Sequence, residues 1–218
     1  DIHPIEEKAG SAGRPFIFVQ VRVIKLDEKN RKAEPTEFVE RDGMEIGQII
    51  TKTPGMFDGY HNRPEEEAKK LHKGWFYTGD TATWDKDGFI TVRGRTDDMF
   101  VSGGENVFPQ PIEEVLERHP KARESMVIGM PDEKWGQVTA ACIIPNDDIP
   151  TVEELDKHCL ADPGLANYKR PRYYRFVDEL PYTPTGKKLR YKMRGRAGKE
   201  RDKFMSIPSQ KGGEKTTK

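Results

Sequence analysis

Gly94-Arg95-Thr96-Asp97-Asp98-Met99-Phe100-Val101-Ser102-Gly103-Gly104-Glu105-Asn106 separates two kinds of pattern in the chain. Ahead of it, apolar and β-branched residues come in short extended runs at Phe16–Ile24, Gly47–Lys52 and Phe89–Arg93, which predict strands. Behind it the period changes. A helix is expected from Pro109-Gln110-Pro111-Ile112, and Ile112, Val115, Leu116 and His119 then share one helical face. The stretch itself is rich in chemistry. The Arg95 guanidinium is a fork suited to phosphate or sugar oxygens. The Asp97-Asp98 pair favours a bend. Gly103 and Gly104 allow positive φ and let another molecule approach bare backbone. Two interpretations stand at this level: a joint between structural units that touches a ligand, or a polar loop with a structural Arg.

Working outward to the N-terminus, residues 1–13 are polar and loop-like, and Asp27-Glu28-Lys29-Asn30 is a turn. A short helix is predicted from Arg63 to Leu71, with Pro64 at its start and Glu65, Glu66 and Glu67 in its first turn, where the dipole favours acids. Trp84-Asp85-Lys86-Asp87-Gly88 carries an Asp-Gly hairpin signal. Working outward to the C-terminus, Ser125–Met130, Val138–Ile144 and Tyr173–Val177 are strands. The second is almost wholly apolar and hence central. Thr151-Val152-Glu153-Glu154 is a capping box opening a helix to about Leu160, and a last helix begins near Leu189. Helices and strands thus mix after the joint, which is an α+β pattern.

Composition limits the class. Hydrophobic and charged residues each make up 34% of the chain, as expected for a protein with generous surface or one lacking a core partner. No apolar run approaches the ~18 residues of a membrane helix, and no signal peptide is present, so neither a membrane span nor secretion is expected and the setting is cytoplasmic. Two cysteines, Cys142 and Cys159, make neither a disulfide framework nor a zinc site. The five histidines lack ligand spacing, so no metal site is expected on them. The 37 basic and 37 acidic residues cancel, but from Lys187 onward basic residues number twelve and acidic three. Such a tail is a solvated terminus or a binder of phosphates, acidic lipid or nucleic acid.

Two further stretches accompany the first: Gly74-Trp75-Phe76-Tyr77-Thr78-Gly79-Asp80 and Pro181-Tyr182-Thr183-Pro184-Thr185-Gly186-Lys187-Lys188-Leu189-Arg190. In this order the three motifs resemble the adenylate-forming superfamily of acyl-CoA synthetases, luciferases and peptide-synthetase adenylation domains. The resemblance runs from about Ala9 to about Arg194. It implies an α+β fold in which residues 1–95 form the β-rich end of a large N-terminal domain. Residues 96–99 are then a hinge and 100–200 a small mobile α+β C-terminal lid domain. Beyond the resemblance, the composition of the end of the chain reads as disorder, and 201–218 are expected to form a disordered basic tail. The Ser/Thr/Gly-rich phosphate loop and the acid-binding half of the family are absent from the sequence, so a longer enzyme, inactive without its N-terminal part, is expected.

The resemblance also implies site residues. Lys187 is the catalytic cation, contacting the reacting carboxylate and the α-phosphate of ATP. Asp80 accepts hydrogen bonds from the ribose hydroxyls, and Arg95 touches ribose or phosphate. Asp97 is the pivot on which the small domain swings between adenylation and thioester formation. Gly103 and Gly104 line the pantetheine channel of CoA. An Arg stands in acetate-type relatives where this chain has Asn106. ATP, CoA and Mg2+ are the expected cofactors, with the metal ligands outside this sequence, and a carboxylic, expected fatty, acid is the substrate. Lys169, Arg170 and Arg172 either meet the nucleotide end of CoA or form a solvated face. A P-loop is excluded, because the pattern needs Gly and Ser/Thr where Pro181 and Lys188 stand. The competing classes are a peptide-synthetase or luciferase adenylation domain, and a non-enzymatic module binding nucleic acid or acidic membrane through the tail. No nucleic-acid motif supports the last, and no nucleic-acid partner is expected.

Overall fold

The computed structural model describes residues 8–27 and 32–207. Its packing divides the chain between Asp97 and Asp98 into two compact units.

The first unit is an antiparallel sheet built on its longest strand. β1 (Gln20–Ile24), β2 (Gly47–Lys52), β4 (Trp75–Trp84) and β3 (Leu71–His72) lie side by side, and β5 (Ile90–Arg95) pairs with the second half of β4. Neighbouring side chains of an extended strand point to opposite faces, so the sheet carries two cores. Val23, Val39, Ala82, Trp84 and Ile90 pack on one face, and Ile24, Ala33, Ile50, Trp75 and Tyr77 pack together in a second cluster. The buried Tyr77 hydroxyl donates to the Ala33 carbonyl at 2.7 Å. Helix α1 (Pro64–Lys70) has proline in its first turn with Glu65, Glu66 and Glu67. The strand expected at Phe16–Ile24 begins only at Gln20. Phe18 takes a φ of +67°, which breaks the extended run, and Phe16, Ile17 and Phe18 are exposed. The turn expected at Asp27–Asn30 lies, beyond Asp27, outside the described residues.

The second unit opens with a hairpin, β6 (Phe100–Ser102) and β7 (Glu105–Val107), and helix α2 (Pro109–Glu117). Its main sheet has the order β11-β10-β9-β8, from β8 (Ala122–Asp132), β9 (Gly136–Pro145), β10 (Tyr173–Phe176) and β11 (Met205–Ser206). Strands β9 and β10 are parallel, and the other neighbours are antiparallel. Both faces are covered. Val127, Ala141, Ile143 and Tyr174 meet Ile112, Val115 and Leu116 of α2 and Leu155 and Cys159 of α3 (Val152–Ala161). Met126, Ile128, Met130, Ala140, Cys142 and Ile144 meet Met193 and Ala197 of α4 (Arg190–Lys199). That double cover is why residues 125–130 of β8 and 138–144 of β9 are buried without alternation, most of them apolar. Each large side chain removed from water there contributes about 1.5–3 kcal/mol. The capping box forms as expected: Thr151 Oγ1 accepts from the Glu154 amide, and the Glu154 carboxylate from the Thr151 amide. Such a cap is worth about 1 kcal/mol.

One departure concerns the tail. Disorder was expected from residue 201, but Arg201–Lys203 form a 3-10 turn and Met205–Ser206 pair with Tyr173 and Tyr174. Phe204 is buried among Met193, Leu180 and Cys142, and Ile207 packs on the opposite cluster. Two apolar residues among lysines anchor the segment, a signal that average composition hides. Residues 208–218 lie outside the described part.

Candidate functional site

In the first unit, strand register brings Asp80 and Arg95 together. They are cross-strand partners on β4 and β5, and Arg95 Nη1 donates to Asp80 Oδ1 at 2.7 Å. Both side chains are partly open to solvent, at 39% and 45%. Such a pair adds little stability, but it orients the carboxylate and leaves Oδ2 able to accept from a ligand. The Thr78 hydroxyl receives the Asp80 amide at 3.0 Å and donates to the Ile49 carbonyl at 3.0 Å, which holds the Asp80 backbone in place. Gly79 has a φ of +80°, and a Cβ there would come within 3.2 Å of Arg95 Nη2 and 2.9 Å of Lys70 Nζ. Glycine is required for both the backbone angle and the guanidinium beside it. Asp97 ends this unit in a 3-10 turn (Thr96–Asp98), its side chain 78% exposed and 3.9 Å from Arg95 Nη2.

Lys187 and the glycine pair lie in the second unit. Lys187 sits on a tight loop closed by a Tyr182–Lys188 bridge. Gly186 takes a φ of +79°, the Thr183 amide donates to the Lys187 carbonyl at 2.8 Å, and the Lys187 amide donates to Thr183 Oγ1 at 2.9 Å. The backbone is thus pinned while the side chain is exposed, and among the described residues its ammonium has no hydrogen-bond or ion-pair partner. Lys188 is the opposite case. Its Nζ reaches Glu113 Oε2 at 2.8 Å, Glu117 Oε1 at 3.3 Å and the Ser125 carbonyl at 2.7 Å. Tyr182, at the other end of the loop, donates to Glu124 Oε2 at 2.8 Å, and burial together with that carboxylate pushes its phenol upward, so it stays neutral.

Gly103 and Gly104 are the two residues between β6 and β7, with φ of +60° and +91°. A two-residue hairpin with both centres at positive φ is the tight turn that glycine serves. The two differ in surroundings. A Cβ on Gly103 would meet Trp135 at 2.9 Å, whereas Gly104 faces open space. The Gly103 amide donates to the Trp135 carbonyl at 3.0 Å. A cleft of about 470 Å³ adjoins this turn, lined by Ser102, Gly103, Lys134, Trp135, Tyr168 and Arg172 among others. Of the three basic residues at 169–172, only Arg172 lines it. Arg170 is turned inward onto Asp156, and Lys169 lies 5.5 Å over the Tyr168 ring. Sequence reasoning did not single out Trp135, Tyr168 or Glu113. A lone exposed Trp in Asp132-Glu133-Lys134-Trp135 was the available signal for the first. Among the described residues no group of three or more His, Cys, Asp or Glu is arranged to hold a metal ion.

The comparisons with known proteins agree with one another. A family model described as the AMP-binding enzyme C-terminal domain matches residues 111–187. The 2-succinylbenzoate–CoA ligase of Geobacillus sp. (strain WCH70) is 42% identical over 188 residues, which is 86% of this chain and 36% of that enzyme. The chain therefore spans little more than a third of the length of this curated relative. The structure of o-succinylbenzoate CoA synthetase from Bacillus subtilis, in complex with its acyl-adenylate intermediate, superimposes with a TM-score of 0.74 at 33% identity, over 87% of this chain and 36% of that one. An anthranilate CoA ligase in complex with anthranoyl-AMP gives 0.74 at 32% identity, over 93% and 37%.

Proposed function

Because the chain belongs to the adenylate-forming, AMP-binding enzymes, we propose that it serves an ATP-dependent carboxylic acid–CoA ligase. In this reading the acid pocket and phosphate loop are supplied by an N-terminal portion like that of its relatives. The observation that carries the reading is the unpartnered Lys187 ammonium on a pinned glycine loop, in the position where the family places its adenylating lysine.

In the first half-reaction a carboxylate oxygen attacks the α-phosphorus of ATP. The bond to the β-phosphate oxygen breaks and pyrophosphate leaves. Negative charge accumulates on oxygens in that transition state, and a fixed cation stabilises it. Lys187 supplies that cation, and its exposed, uncommitted amine suits the task. Asp80 accepts ribose hydroxyls through its free oxygen, with Arg95 holding the carboxylate and contacting ribose or phosphate. In the second half-reaction the CoA thiol attacks the acyl carbon and AMP leaves. Asp97 is the pivot for the change of state, and Gly103 and Gly104 then give the pantetheine arm a side-chain-free passage. Arg172, which lines the cleft beside Trp135, meets the nucleotide end of CoA in this reading. No metal ligand set is found among the described residues, so no step is assigned to Mg2+.

The acid is less narrowly supported. The relatives above are named for succinylbenzoate and anthranilate, which favours an aromatic acid; the Ser-Gly-Gly-Glu-Asn form of residues 102–106 resembles that of fatty or other carboxylic acid–CoA ligases more than that of peptide-synthetase domains. A cytoplasmic setting fits either. In the complete ligase, Lys187→Ala is expected to slow acid-dependent pyrophosphate exchange by ~10²–10³-fold. Thioester formation from supplied acyl-adenylate should stay within a few-fold of the parent. Equal loss in both half-reactions would refute the assignment.

A further inference from the structure

The loop that carries Lys187 is held by a buried carboxylate far away in sequence. Glu113, 3% exposed on α2, receives Lys188 Nζ at 2.8 Å and Arg190 Nη2 at 2.7 Å on Oε2. Its Oε1 receives the Val127 amide at 2.7 Å and Arg190 Nε at 3.3 Å. The carboxylate is thus saturated by two cations and a sheet amide, as a buried charge requires. Arg190 has a second hold: its Nη1 donates to Asp98 Oδ2 at 2.7 Å. Asp98 is the first residue of the second unit, directly after Asp97. One guanidinium therefore spans from the start of the second unit to the base of the lysine loop, and its rigid fork fixes both ends at once.

We propose that Asp98 and Arg190 are positioning residues for adenylation: through Glu113 and Lys188 they fix the place of Lys187 within the second unit. The inference rests on the reading of Lys187 given above. A cation displaced by about an ångström loses up to ~10²-fold in rate without losing the protein fold. Ligand binding elsewhere is untouched, so the loss falls on kcat and not on KM.

The test uses the complete ligase with Asp98→Asn and Arg190→Lys. Asp98→Asn disturbs only the partly exposed end of the link. Arg190→Lys keeps a charge beside Glu113 but cannot span both carboxylates. Each is expected to lower kcat of pyrophosphate exchange by ~10–10²-fold, with KM for ATP and acid within about threefold and the urea midpoint of Asp98→Asn near that of the parent. In a Lys187→Ala background neither should lower the rate further, because both act through Lys187. A full additional loss in that background, or no loss from Asp98→Asn alone, overturns the proposal. An unimpaired Lys187→Ala single variant instead overturns the assignment of Lys187 itself. The two failures are therefore separable.

Discussion

Lys187 and Lys188 are one peptide bond apart, and their surroundings differ because the loop closes between them. The Tyr182–Lys188 bridge turns Lys188 inward to Glu113 and leaves Lys187 at the rim. A similar contrast of surroundings governs the two thiols. Burial pushes Cys142 up to about 12 and Cys159 up to about 11. Both are therefore neutral and enclosed at pH 8. An aromatic disulfide reagent is expected to find no thiol in the folded chain and both in urea; a thiol that reacts in the folded chain would contradict this. The linkage has a definite sign. In the unfolded chain these thiols titrate near their ordinary 9.0. Above that pH the unfolded state loses protons that the folded state keeps, so stability is level below about pH 9 and falls as pH rises toward 11–12. Urea midpoints at pH 8 and pH 10 should differ in that direction.

Elements in the second unit follow the burial of their faces. Strands β8 and β9 are apolar on both sides because α2 and α3 cover one face and α4 the other. Helix α3 starts where Thr151 and Glu154 exchange hydrogen bonds, a signal contained within four residues. Strand β11 had no comparable local signature. It is two residues long and sits in a lysine-rich segment, and Phe204 beside it supplies the anchoring contact. Phe204→Ala is expected to cost about 3 kcal/mol and to free the segment after Lys199. Urea denaturation and limited trypsin digestion would detect both effects. A variant with unchanged stability and unchanged cleavage at Arg201 and Lys203 would show that β11 does not hold the tail.

At the scale of the whole molecule, the chain passes from one compact unit to the next between Asp97 and Asp98. Asp97 is exposed and weakly held, at 3.9 Å from Arg95, whereas Asp98 is tied to Arg190 at 2.7 Å. A residue free of packing can absorb a large change in backbone angle. Proline at position 97 locks φ near −65° and removes an amide donor. On the ligase reading proposed above, Asp97→Pro in the complete enzyme is expected to leave acid-dependent pyrophosphate exchange within a few-fold of the parent and to collapse thioester formation. Intact overall turnover would move the pivot away from Asp97.

Features carried by short stretches were decided by the sequence itself. The α+β class, the adenylate-forming kinship, the capping box at Thr151 and the positive φ open to Gly103 and Gly104 each rest on residues close together or on motif order. Their physics is local: backbone angle, dipole, period and side chains within one turn of the chain. The tertiary structure decided what depends on register and packing between distant segments. Asp80 meets Arg95 fifteen residues on only because β4 and β5 pair in that register. Glu113 meets Lys188 and Arg190, 75 and 77 residues on, only because α2 packs beside β8 and the Lys187 loop. Phe204 turns a basic tail into a strand only because its ring joins the buried cluster that also holds Met193, Leu180 and Cys142. No local pattern encodes such meetings, since the energy that selects them comes from burying surfaces that become neighbours only once the chain has folded.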